Sequence, residues 1–78
     1  MKAVHKDKYK KLGLKIAYYR KLKGLTQEQL SEELDIGAAY LGHVEAPNID
    51  RAISLDTLFD ISDALGVPAY KFLDFDDD

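Results

Sequence analysis

Residues 26–45, TQEQLSEELDIGAAYLGHVE, leave this chain little freedom of fold. Thr26 can accept a hydrogen bond from an orphan backbone N–H of the turn that follows, and Gln29 can reach back to the amide of Thr26, a capping box that opens a helix. Leu30 and Leu34 then share one face at i, i+4 while Glu28, Glu32 and Glu33 lie away from it, which predicts a helix over about 27–34. Asp35-Ile36-Gly37 interrupts that pattern with an apolar residue between a poor helix former and a glycine. Ala38 to Glu45 then resume it, with Leu41 and Val44 at i, i+3. Two short amphipathic helices joined by about three residues make a helix-turn-helix.

The flanking sequence supplies further helices. From about Tyr9 to Lys23, Leu12, Ile16 and Tyr19 or Arg20 recur on one face with lysines opposite, and Gly24 follows as a terminator with Lys21 and Lys23 complementing the helix dipole. Pro47-Asn48 and Asp50-Arg51 mark a loop over 46–53. Ser54 caps a fourth helix over about 55–65, with Leu55, Leu58, Ile61 or Ser62, and Leu65 as its core stripe and Gly66 as its end. Pro68 suits the first position of a short fifth helix that returns Phe72 or Leu73 to the bundle by about residue 73. The expected architecture is all-α, a five-helix bundle over 9–73 with a mobile basic arm at 1–8 and a frayed acidic tail at 74–78.

Size and composition narrow the function. A chain of 78 residues allows one small domain and no two-domain enzyme with a cleft, since it buries only about 60% of the surface its unfolded form exposes. With no cysteine there is no disulfide framework, thiol catalysis or Cys-type zinc site, and His5 and His43 form no ligand cluster, so neither cofactor nor metal is expected. No apolar run approaches the ~20 residues that cross a bilayer, which suits a soluble cytoplasmic protein. The net charge of −3 is divided unequally. Residues 1–24 hold nine Lys/Arg against Asp7 alone, a surplus of eight positive charges, whereas residues 25–78 hold Arg51 and Lys71 against thirteen carboxylates, a surplus of eleven negative ones. Such a dipolar chain can turn a basic face to a polyanion while its far side stays acidic.

In a helix-turn-helix the first helix lies across the DNA backbone with its N-terminal amides toward a phosphate, and the second sets its exposed residues against base edges in the major groove. Residues 20–30 (RKLKGLTQEQL), Tyr40-Leu41, Val44-Glu45, residues 54–58 (SLDTL) and residues 64–68 (ALGVP) resemble the Xre family, the Cro and repressor type of DNA-binding domain, over roughly 12–72. The resemblance implies a small transcriptional regulator, repressor-like, that binds double-stranded DNA as a homodimer. The fifth helix, with Tyr70, Phe72 and Phe75, is its candidate pairing surface. It also implies that Gln27 anchors a phosphate and that Arg20 and Glu45 form a charge pair tying the first helix to the end of the third.

The candidate DNA-binding residues are Gln27, Gly37, Ala38, Ala39, Tyr40, His43, Asn48 and Arg51. Gln27 stands where a side-chain amide and backbone amides can meet one phosphate oxygen. Ala38, Ala39, Gly42 and His43 fall where relatives carry Gln, Arg, Ser, Thr or Lys. Alanine offers only a methyl contact to thymine, so His43 is the one strong polar reader, against the simpler role of a solvent-facing helix end. Tyr40 can pack or reach a phosphate, and Asn48 and Arg51 can touch phosphates from their loop. The depleted reading face keeps a second class of function open: a protein-interaction module, or an antitoxin-like protein combining DNA and a protein partner.

Overall fold

The computed structural model describes residues 2–46 and 52–76. A 3-10 turn, Ala3–His5, leads into α1, Lys6–Leu22; α2 is Gln27–Leu34, α3 Ala38–Glu45, α4 Leu55–Leu65 and α5 Ala69–Phe72. The described residues are all-helical, with no strand among them. Leu12 and Ile16 of α1, Leu30 of α2, Leu41 and Val44 of α3, Leu58, Ile61 and Leu65 of α4, and Phe72 of α5 form one core. The rings of Tyr19 and Phe72 meet edge-to-face at 5.3 Å, joining α1 to α5.

Helix ends follow local chemistry. Gln29 N–H donates to Thr26 Oγ1 at 3.0 Å and Thr26 N–H donates to Gln29 Oε1 at 2.9 Å, the reciprocal capping box. Ser54 Oγ accepts from Thr57 N–H at 3.1 Å and starts α4. Gly24 (φ 79°) and Gly66 (φ 66°) adopt the left-handed conformation past α1 and α4. At the first of these, Leu25 N–H donates to the Arg20 carbonyl and Gly24 N–H to that of Lys21, a Schellman closure.

Several expectations need correction. Within the expected arm at 1–8 the described residues are helical from Ala3, because Asp7 in the first turn suits the dipole, His5 N–H donates to the Lys2 carbonyl at 2.9 Å, and Tyr9 packs on the core. The tail is not frayed from residue 74, since Phe75 also packs against the core. Pro68 is the N-cap of α5 rather than its first residue; its ψ of 138° is extended. Leu55 lies outside the core at 62% exposed, because no other described element covers the outer side of α4's first turn. Lys23 serves the end of α4 instead of α1: its Nζ donates to the Ala64 carbonyl at 2.7 Å. The break between α2 and α3 takes its left-handed residue at Asp35 (φ 54°), while Gly37 is extended at φ −71°.

Candidate nucleic-acid interface

The first turn of α2 and the whole of α3 are set by one polar hub. Arg20 Nε and Nη2 each donate to the Glu45 carboxylate at 2.9 Å, and Arg20 Nη1 donates to the Leu25 carbonyl at 2.7 Å. Gln27 Nε2 donates to Glu45 Oε1 at 3.0 Å. Glu45 thus holds the end of α1, the turn after it, the start of α2 and the end of α3 in one arrangement. Arg20 and Glu45 are both buried, and among the described residues no buried side-chain polar atom lacks a hydrogen-bond partner. A bidentate guanidinium–carboxylate pair fixes direction as well as distance.

A second constraint sets how closely α3 approaches α1. Gly13 is buried, and a Cβ there would overlap the Val44 carbonyl oxygen. Only glycine lets the two helices meet at this separation. An isolated glycine inside an otherwise helical pattern was the signal for it, and one that composition and periodicity alone do not interpret.

With its Leu41 and Val44 side buried, α3 presents Ala38, Ala39 and His43 outward, all three exposed. Gly37 is the exposed N-cap, without a side chain to bond the first turn. Gly42 is half-covered, and a Cβ there would stand 3.5 Å from Gln27 Oε1, so the glutamine side chain lies across this turn. Tyr40 is half-buried and packs on the core. The structure therefore gathers Gln27, Gly42 and Glu45 at one place, with the outward residues of α3 beside them. Asn48 and Arg51 lie outside the described residues.

Gln27 differs most from its expected posture. Its carboxamide N–H is turned to Glu45 rather than outward, because an acceptor held by Arg20 stands within reach. A primary amide carries a second N–H. The backbone N–H groups of Gln27 and Glu28 precede the first intrahelical bond of α2, that of Leu30 N–H to the Thr26 carbonyl at 3.0 Å. They supply the positive end of the helix dipole beside α3. Glu28, exposed in the same turn, opposes an anion there.

Among the described residues no cluster of three or more His, Asp or Glu side chains could hold a metal ion, and no helix is long and apolar enough to cross a membrane. The model of a helix-turn-helix family matches residues 16–72 of the chain, which takes in the last seven residues of α1 and the whole of α2 to α5. No curated protein matches the chain.

Proposed function

This chain belongs to the helix-turn-helix family of the Xre and Cro type, a DNA-binding family, and from that footing we propose that it is a small cytoplasmic transcriptional regulator, repressor-like, that recognises particular double-stranded sequences. The observation that carries this reading is the pose of α3. Its apolar side is locked to α1 and α2 through Gly13, Val44 and the Arg20–Glu45–Gln27 hub, and its outward side is left to solvent next to the amides that open α2. In the proposed complex the Gln27 and Glu28 amides and the second Nε2 proton of Gln27 meet one phosphate. Ala38 and Ala39 bring methyl groups to thymines, and their small size lets the backbone approach the base edges closely. His43 makes the polar base contact, and Gly37 lets the start of α3 sit near the backbone. Lysines of α1 add attraction that does not depend on sequence. Asn48 and Arg51 remain candidates for phosphate contacts from the loop.

Binding would use a homodimer on paired half-sites. Phe72 cannot form its surface, being fully buried, whereas Tyr70 and Leu73 at the same end of the chain are exposed and are the proposed pairing residues.

A salt titration of binding to random and to selected duplexes tests the proposal. The expected result is a steep salt slope, uniformly weaker binding for Gln27→Ala, and relaxed choice among sequences for His43→Ala. Absence of binding at low salt by a folded protein would overturn it in favour of a protein-interaction module, for which the sparse hydrogen-bonding capacity of Ala38, Ala39 and Gly42 is the supporting observation.

A further inference from the structure

Two helices carry apolar residues on the side away from the core, and their surrounding charges are opposite. On α1, Leu14, Tyr18 and Leu22 recur at i, i+4, i+8, each more than half exposed. At about 1.5 Å per residue they form a stripe roughly 12 Å long. Lys10, Lys11 and Lys21, all exposed, flank that stripe at helical spacing. On α4, Leu55 and Phe59 stand at i, i+4, 62% and 49% exposed, and Asp56, Asp60 and Asp63 are exposed along one side of them. The apolar strip on α4 is extended by Leu73, since Leu55, Leu73 and Phe75 border one hollow of about 360 Å³. Across a second hollow, Asp60 and Asp63 face Glu33 of α2, so the acidic side of α4 is broader than the helix itself.

We propose that the outer face of α1 in one copy docks on the outer face of α4 in a second copy, apolar stripe on apolar strip, with Lys10, Lys11 and Lys21 opposite Asp56, Asp60 and Asp63. Charge complementarity selects this occupant. A phosphate backbone would match the lysines and leave Leu14, Tyr18 and Leu22 without apolar contact, and a second basic helix would be repelled. The contact is heterologous: each copy uses a different face as donor and as acceptor, so copies join head to tail and do not pair about a two-fold axis. Its α1 face is separate from the pairing proposed at Tyr70 and Leu73, its α4 face borders that pairing at Leu73, and it does not rest on DNA recognition. Stripes of this size bury less than the roughly 800 Å² per partner of a standard interface, so the association is weak and dependent on concentration.

Sedimentation equilibrium without DNA, from micromolar to about millimolar protein, reads it directly. Two variants each lose one face, Leu14→Glu/Tyr18→Glu on α1 and Leu55→Lys/Phe59→Lys on α4, with circular dichroism as the check that both remain folded. The expected result is a mass that climbs with concentration beyond the dimer for wild type and weakens about tenfold at high salt, where surface charges are screened. Each variant alone should lose that growth. An equimolar mixture of the two should regain association that neither shows alone, because each supplies the face the other has lost. A monomer at every concentration, growth that survives in either variant alone, or a mixture with no recovery overturns the proposal. So does binding of wild type to anionic lipid vesicles through Tyr18 without self-association.

Discussion

Arg20 and Glu45 meet as fork on fork, Nε donating to Oε2 and Nη2 to Oε1, both at 2.9 Å, with the side chains 9% and 4% exposed. Removing either partner strands the other in a buried place, at a cost of about 3–5 kcal/mol. Glu45→Ala should therefore unfold at far lower urea than wild type, and Arg20→Ala should behave alike while also freeing the Leu25 carbonyl. Arg20→Met combined with Glu45→Leu should be less destabilised than the sum of the two single losses, because no charge is left stranded. A double variant as weak as that sum would show that the pair contributes nothing beyond packing.

Gly13 and Val44 define the distance between α1 and α3. Gly13→Ala places a methyl group on a backbone oxygen, which cannot swing aside as a flexible side chain would. Overpacking of this kind costs about 1–3 kcal/mol, and the upper end is expected here despite the better helix propensity of alanine. Thermal denaturation of the variant measures it, and an unchanged or higher Tm would mean that α3 can retreat from α1 without loss.

Between α2 and α3 the two candidate residues for a special conformation are Asp35 and Gly37, and the structure gives it to Asp35. Asp35→Gly should raise stability modestly, since glycine escapes the roughly 1–2 kcal/mol that the left-handed region costs an L-residue while losing about 0.5–1 kcal/mol to its own chain entropy. Gly37→Ala should be tolerated, as its backbone is extended and a Cβ there meets nothing within 4 Å. The reverse order of effects in urea melts would place the left-handed residue at Gly37.

This break illustrates where sequence reading succeeds and where it stops. Thr26 with Gln29, Ser54 ahead of α4, and the terminators Gly24 and Gly66 act through bonds within a few residues, so their chemistry is legible in order along the chain. The end of α1, the start of α2 and both limits of α4 follow from them. The family resemblance put Arg20 beside Glu45, which periodicity alone could not. What escaped reading depends on partners distant in sequence. Gly13 is explained by a carbonyl on α3, and Gln27 turns inward because Glu45 is already held by Arg20. Leu55 fits the core stripe of its own helix, yet it stays exposed because no described neighbour covers that turn. The start of α1 was misplaced for a milder reason: Lys6 and Lys8 are polar and carry no periodic signal, although Asp7 and Tyr9 support a helix there.

Phe72 and Tyr70 lie two positions apart on a helix of one turn, and they separate folding from association. Phe72 is fully buried against Tyr19, whereas Tyr70 is 66% exposed. Truncating a buried phenylalanine to alanine costs about 3–5 kcal/mol, a large share of what so small a domain holds. Phe72→Ala should therefore appear as a loss of folded protein, whether or not the chain self-associates. Tyr70→Ser removes little packed surface and should stay within about 0.5 kcal/mol of wild type in a denaturant melt. Its effect should be confined to pairing, read as a loss of cooperative binding to duplexes carrying two half-sites while binding to a single half-site is kept. If Tyr70→Ser binds two half-sites as cooperatively as wild type, the C-terminal end of the chain is not the pairing surface.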